Sequence, residues 1–135
     1  MEKDLKTYFE QTEGTGVLST ADANGRVNAA VYARPHILED GTAAVIMRNR
    51  LTRKNLTENP HAAFLFMEKG PGYKGRRLYL TKIDEDADAD RINALRRRCP
   101  TTDADPEKGE LFLVRFQIDK VIPLVGPGKT SGVQD

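Results

Sequence analysis

The part of the sequence best equipped for chemistry is the stretch of residues 48–60, RNRLTRKNLTENP, in which cations and hydroxyls follow directly after an apolar run. The pattern predicts a strand that gives way to a short helix, which Asn59-Pro60 then ends. The first turn of a helix has backbone N–H groups without helical partners and a partial positive charge. Arg50, Thr52 and Lys54 add donors there, and this mixture of guanidinium, hydroxyl and ammonium suits a terminal phosphate ester.

The charges of this turn favour the same interpretation. Arg48, Arg50, Arg53 and Lys54 repel one another, and they oppose the helix dipole, which favours acidic residues in the first turn. A bound anion would offset both effects. The alternative is a solvated basic loop in which Thr52 is an ordinary N-cap.

Composition limits the other classes of function. The chain of 135 residues is long enough to bury a core, and we predict a single domain over residues 1–135. Its 21 basic and 20 acidic residues give a net charge of +1, which provides no general attraction to nucleic acid. A single cysteine, Cys99, excludes an internal disulfide, and with only His36 and His61 no spaced Cys/His metal set can form. We therefore expect no nucleic-acid partner and no bound metal.

The location of the protein is predicted from its first residues and its hydropathy. The N-terminal residues lack the apolar core of a signal peptide, and no run approaches the roughly 20 apolar residues of a membrane helix. We expect a protein with no membrane partner that resides in the cytoplasm.

Short strands surround the predicted turn. Asn24-Gly25 supplies the positive φ that a tight hairpin needs, and Pro35 predicts a bulge or an edge in the second arm of that hairpin. We predict strands over residues 16–20, 26–38, 42–47, 62–67, 77–83 and 110–121, helices over the first dozen residues, the turn segment and residues 87–98, and an extended tail from about residue 123.

These elements predict a mainly β fold. Five or six short antiparallel strands would leave exposed edges unless the sheet closed, so we expect a β-barrel with small peripheral helices. Alternation in the second strand places Val27, Ala29 and Val31 on one face and Asn28 and Ala30 on the other. Small alanines on the second and third strands would let a flat ring approach the backbone, which suits a planar cofactor.

Three other motifs are assigned no function. Residues 70–75 satisfy G-x-G-x-x-G, but a strand follows where a dinucleotide-binding turn needs a helix, so we predict a loop whose Tyr73 and Lys74 would be able to reach over a ligand. The Gly-Lys-Thr of residues 128–130 lacks the first glycine of a P-loop and the helix that must follow. The run of arginines at residues 96–98 complements the dipole at the end of its helix.

Residues 16–66 resemble the flavin-binding split β-barrels of the pyridoxamine 5'-phosphate oxidase type. The likeness is strongest over residues 45–56, VIMRNRLTRKNL, which Asn59-Pro60 and an apolar strand follow. The resemblance implies a split β-barrel of six antiparallel strands, Greek-key-like, with small peripheral helices. It also implies FMN as the cofactor, with the FMN phosphate held by Arg50, Thr52 and Lys54 in the segment that also contains Leu51.

The resemblance implies positions for the rest of the cofactor as well. Arg48 and Asn49 would lie nearer the ribityl chain or the ring, and a homodimer would carry two flavin sites at its interface. The chain has no Trp and lacks the Trp- and Arg-containing end that holds the pyridoxal substrate in the true oxidases, so we do not expect oxidation of pyridoxamine phosphate. The strand whose backbone would lie along the isoalloxazine is Asn28, Ala29, Ala30 and Val31.

The leading hypothesis is an FMN-binding oxidoreductase that passes electrons or hydride between a reduced donor and an unknown acceptor. A non-enzymatic FMN carrier or electron-transfer protein and a phosphometabolite-binding regulatory module remain open, and so does a deazaflavin in place of FMN. A basic-loop RNA binder is a further alternative, which the net charge disfavours.

Overall fold

The computed structural model describes residues 4–98 and 110–126, and the structural statements that follow concern those residues. The predictions for Cys99, for residues 128–130 and for the end of the tail lie outside the described part. Three helices and seven strands follow in the order α1 (Leu5–Gln11), β1 (Gly14–Ala21), β2 (Val27–Tyr32), β3 (His36–Ile37), β4 (Ala43–Arg48), α2 (Leu51–Glu58), β5 (His61–Glu68), β6 (Gly75–Asp86), α3 (Ala89–Arg98) and β7 (Leu111–Pro123).

All seven strands belong to one antiparallel sheet, in the order β2-β1-β5-β6-β7-β4-β3. β2 and β3 lie at opposite edges of the sheet, although only residues 33–35 separate them in sequence. So short a connection can join the two edges only if the sheet curls back on itself. The result is a half-open barrel with a cleft between β2 and the β4–β3 side, which confirms the predicted split barrel.

The sheet has seven strands where the sequence predicted six, because the second predicted strand is divided at Pro35. Proline has no N–H to donate to a ladder and favours sheet edges. β2 therefore ends at Tyr32, and β3 forms a separate two-residue strand on β4, where His36 pairs with Ala44. At Pro35, where the sequence predicted a bulge or an edge, the chain thus passes from one edge of the sheet to the other.

The core fills the concave side of the sheet. Phe64, Phe66 and Phe116 are fully buried there. α1 closes one end of the barrel through Phe9, whose ring packs edge-on against Phe66 at a centroid distance of 5.3 Å. Gly16 faces this core, because a Cβ at that position would lie 2.4 Å from the ring of Phe64.

The convex side of β2, β1 and β5 carries an apolar surface that solvent reaches. Val27 is 82% exposed and Val31 is 74% exposed. Val17 pairs with Val31 on one side and with Leu65 on the other, so these side chains form one cross-strand row. We call this surface the outer apolar face and define it by Val17, Val27, Val31, Leu65 and Met67.

The helices end close to their predicted bounds. α3 buries Ile92 and Leu95, as its periodicity indicated. The Asp88 carboxylate accepts a hydrogen bond from the Asp90 N–H at 2.9 Å and so occupies an N-cap position.

None of the described helices has the length and apolar character needed to cross a membrane.

Candidate functional site

The predicted turn is a strand-to-helix junction. β4 ends at Arg48, whose carbonyl accepts a hydrogen bond from the Arg50 N–H at 2.9 Å, and α2 begins at Leu51. Arg50 stands at the N-cap position without a side-chain cap, and the first turn of α2 contains no acidic residue. The N-terminal N–H groups of α2 are therefore left for a ligand or for water.

α2 is held against the barrel by three inward side chains at helical spacing. Thr52, Asn55 and Leu56 are buried, and the Asn55 amide donates a hydrogen bond to the Thr20 hydroxyl at 3.1 Å. The Asn28 amide approaches the Thr52 hydroxyl oxygen at 3.5 Å. A hydroxyl that accepts from an amide keeps its own hydrogen for another partner. Asn28 therefore leaves Thr52 able to donate to a ligand at the start of α2.

A cavity of about 450 Å³ fills the cleft between β2 and β4. It extends from the start of α2 along β2 to the start of β1. Its described lining contains three arginines and no acidic side chain, so it favours anionic ligands. The lining consists of Gly14, Thr15, Gly16, Asn28, Ala30, Val31, Tyr32, Ala33, Arg34, Ile46, Met47, Arg48, Arg50, Leu51, Thr52 and Leu111.

The edge of β2 adds backbone groups to this cleft. The Asp22 N–H donates to the Arg26 carbonyl at 3.0 Å, which fixes the alternation of the β1–β2 ladder. By that alternation Asn28 and Ala30 direct their backbone N–H and C=O groups toward β1. Ala29 and Val31 direct theirs away from β1, toward the open side of the barrel. A planar ligand with donors and acceptors on its rim matches such an edge.

Most of the predicted site residues lie together in this cavity. Asn28, Ala30, Val31, Arg48, Arg50, Leu51 and Thr52 line it. Ala29, Asn49 and Lys54 do not line it, although Ala29 lies in β2 between two residues that do. Sequence reasoning missed the opposite end of the cavity, formed by residues 14–16 and 32–34, and the apolar wall of Ile46, Met47 and Leu111.

Lys54 has a partner on its own helix. Its ammonium lies 2.9 Å from the Glu58 carboxylate, and this contact raises the pKa of Lys54. Glu58 also accepts a hydrogen bond from the Ala23 N–H at 3.0 Å, which lowers the pKa of Glu58 and ties the β1–β2 hairpin to α2. Lys54 would have to leave Glu58 to meet a phosphate at the helix start.

Arg53 connects the turn to β6 and β7 through its side chain. Its guanidinium stacks on the Phe112 ring at 3.7 Å from the centroid, donates to the Asn49 side-chain carbonyl at 3.1 Å and forms an ion pair with Glu85. Hydrogen bonding from Arg53 holds the pKa of Glu85 below its usual value, although partial burial opposes this shift. Lys82 contacts the same carboxylate at 3.2 Å. This network neutralises one of the four clustered cations.

The residues of the G-x-G-x-x-G motif form the predicted loop between two strands, β5 and β6. Tyr73 has a φ of 50° at the exposed tip, and the loop does not line the cavity. Within the described residues no group of His, Cys, Asp and Glu is arranged to hold a metal ion.

Solved structures share this architecture. The FMN-binding protein of Syntrophomonas wolfei subsp. wolfei is similar over 89% of this chain and 83% of its own, with 22% identity and a TM-score of 0.70. A protein named F420 reductase is similar over 89% of this chain and 98% of its own, with 16% identity and a TM-score of 0.63. HutZ of Vibrio cholerae, described as a heme storage protein, is similar over 86% of this chain and 89% of its own, with 18% identity and a TM-score of 0.64.

The sequence itself assigns the family. No curated protein sequence matches the chain. Residues 1–124 match the family described as Pyridoxamine 5'-phosphate oxidase, and the solved structures show the same fold. Because this match spans nearly the whole chain, the protein belongs to the pyridoxamine 5'-phosphate oxidase family.

Proposed function

We propose that the cavity binds FMN noncovalently and that the chain is a flavoprotein oxidoreductase. The observation that carries this proposal is the cavity between β2 and β4, which has an uncapped helix start at one end and a strand edge along its side. The S. wolfei structure, named as an FMN-binding protein, has the same fold, which supports the choice of ligand.

The residues present fit the parts of FMN. The N–H groups of α2, the Thr52 hydroxyl and the Arg50 guanidinium suit the terminal phosphate. Arg48, the last residue of β4, also lines the cavity and suits the polar ribityl chain. The edge of β2 suits the polar rim of the isoalloxazine, and Ile46 and Leu111 provide an apolar wall. Lys54 as a further phosphate ligand stays a prediction.

When bound, the flavin supplies the redox chemistry by accepting and donating electrons or hydride. The chain binds the phosphate, orients the ring against β2 and excludes water with its apolar wall. No described side chain of the cavity lining is a carboxylic acid or a histidine, so proton transfer by such a group is not part of the proposal.

We further propose that two copies of the chain associate through the outer apolar face. Val31 belongs both to this face and to the cavity lining, so a partner seated on the face would lie beside the ring. Exposed apolar patches of this kind are typical of protein interfaces. Light scattering after size exclusion should report a dimer, and Leu65→Asp should convert it to a monomer. A monomeric wild-type protein would contradict the proposed dimer.

A location in the cytoplasm stays a prediction.

The visible spectrum of the purified protein tests the ligand. We expect a yellow protein with the bands of oxidised flavin, and mass spectrometry of the released cofactor should identify FMN. A colourless protein that takes up no added FMN would contradict the proposal. F420 and haem serve as competing ligands, because similar structures carry names that refer to them.

Steady-state reduction by NADH or NADPH tests the oxidoreductase activity. Turnover with either donor supports an enzyme. Bound FMN that neither donor reduces would favour an FMN carrier over an enzyme.

A further inference from the structure

A third arginine lies at the end of the cavity opposite α2. Arg34 follows β2, six residues beyond Asn28, which corresponds to as much as about 20 Å of extended chain at roughly 3.3 Å per residue. It is half-buried and lines the cavity together with Tyr32 and Gly16. The two ends of the cavity are therefore both cationic, with small and apolar side chains between them.

The charge of Arg34 is not neutralised by an acidic side chain within the described residues. One guanidinium nitrogen donates to the Thr12 carbonyl at 2.8 Å, at the C-terminal end of α1. A guanidinium has five N–H donors, so this contact leaves donors for another partner. The bond to the Thr12 carbonyl gives Arg34 one structural role at the end of α1, but that role does not account for the placement of its charge on the cavity wall.

Acidic side chains in the neighbouring groove are already paired. This groove shares Gly14 and Thr15 with the cavity. Its Glu13 lies 3.6 Å from the Lys69 ammonium, and its Glu68 accepts a hydrogen bond from the Tyr8 hydroxyl at 2.6 Å. Neither carboxylate forms an ion pair with Arg34 in the part of the chain that the structure describes.

We propose that Arg34 binds the anionic group, a carboxylate or a phosphate, of the compound that exchanges electrons with the flavin. The proposal rests on the proposed function, because FMN carries one phosphate and that phosphate is assigned to α2. Arg34 lies three residues beyond Val31, about 10 Å further along extended chain, and so stands past the strand edge assigned to the ring. A second anion, which FMN does not supply, would match the charge of Arg34 there.

Binding of small aromatic probes to the FMN-loaded protein tests the proposal. Benzoate and phenyl phosphate are titrated at constant ionic strength, with benzyl alcohol as the uncharged match, and binding is followed by the change in the flavin spectrum. At least one anion should bind about tenfold or more tightly than benzyl alcohol. The anion that binds more tightly shows whether Arg34 prefers a carboxylate or a phosphate. Equal binding of all three probes would overturn the proposal.

Variants of Arg34 separate charge from structure. Arg34→Ala should weaken binding of the anion about tenfold or more, and Arg34→Lys should restore part of it. Arg26→Ala removes the same charge from the exposed hairpin at the other end of β2 and should leave probe binding unchanged. Thermal unfolding shows whether loss of the Thr12 contact has unfolded α1. An Arg34→Ala protein that keeps its fold and binds the anion like wild type would overturn the proposal.

Failure of the proposed function would be recognised separately. If the wild-type protein takes up no FMN, the flavin assignment fails, and the same probes are then followed by the rise in Tm that they cause. An anion-dependent rise that Arg34→Ala abolishes and Arg26→Ala keeps would support the Arg34 site without flavin. A rise that is the same in both variants would overturn it.

Discussion

Replacing Thr52 with valine removes one hydroxyl from the start of α2 and keeps a side chain of similar shape. Thr52 is 2% exposed, so the backbone around it is held by packing and is expected to stay in place. In the native protein the hydroxyl oxygen accepts from the Asn28 amide at 3.5 Å, a distance at the limit of a hydrogen bond. Its hydrogen remains for the FMN phosphate.

The expected loss of affinity follows from the charge of the phosphate. A hydrogen bond to a charged group contributes about 1.5–3 kcal/mol, which corresponds to roughly a 10- to 150-fold rise in the Kd for FMN. The loss of the long Asn28 contact should cost the fold less than about 1 kcal/mol, because the half-buried amide can turn to water. The variant should therefore lose affinity much more than stability.

Fluorescence quenching of FMN on titration with the apo-protein measures the Kd, and thermal unfolding measures stability. Thr57→Val is the matched control, since Thr57 lies on the exposed side of the same helix and its hydroxyl donates to the Lys54 carbonyl at 2.6 Å. The control should bind FMN within about twofold of wild type. If Thr52→Val and Thr57→Val bind FMN equally well, the assignment of the phosphate to this turn is refuted.

Two further predictions concern the framework around the site. The pKa of Glu85 is lowered in the folded chain, so its ion pair with Arg53 stabilises the protein fully above the ordinary carboxyl pKa of about 4.3. This stabilisation is lost as the pH falls through the lowered pKa. The Glu85→Gln variant should thus be less stable than wild type by about 1–2 kcal/mol in urea unfolding at pH 7, and the difference should be smaller at about pH 3.5. A difference that is the same at both pH values would contradict the role of the ion pair. Gly16→Ala places a Cβ 2.8 Å from the Tyr32 carbonyl and 2.4 Å from the Phe64 ring, so it should destabilise the protein by about 1–3 kcal/mol in the same assay, and an unchanged midpoint would show that β1 can shift.

Local chemistry allowed much of the fold to be predicted. Gly25 adopts a φ of 85° in the predicted hairpin, and its N–H closes the turn onto the Asp22 carbonyl at 3.1 Å. The strand-to-helix junction at Arg48–Leu51 follows from the pattern of apolar, cationic and turn residues. These features depend on neighbours within a few positions, which the sequence shows directly.

The missed parts depend on residues distant in sequence. Glu85 reaches Arg53 across 32 positions, and Leu111 joins the cavity because β7 pairs with β4. No spacing rule links such residues before the sheet order is known. Alternation in β2 predicted correctly that Val31 and Ala30 lie on opposite faces of the sheet. It did not show that the face with Val31 is the exposed one, because a strand with apolar residues on both faces does not indicate which face points to solvent.

The most direct test of the central claim compares the affinities of FMN and riboflavin for the apo-protein, because the two differ only in the terminal phosphate. If that phosphate lies at the start of α2, FMN should bind at least about 100-fold more tightly than riboflavin, roughly 3 kcal/mol, and Arg50→Glu should remove most of the difference. Equal affinities for the two ligands in the wild-type protein would contradict the account.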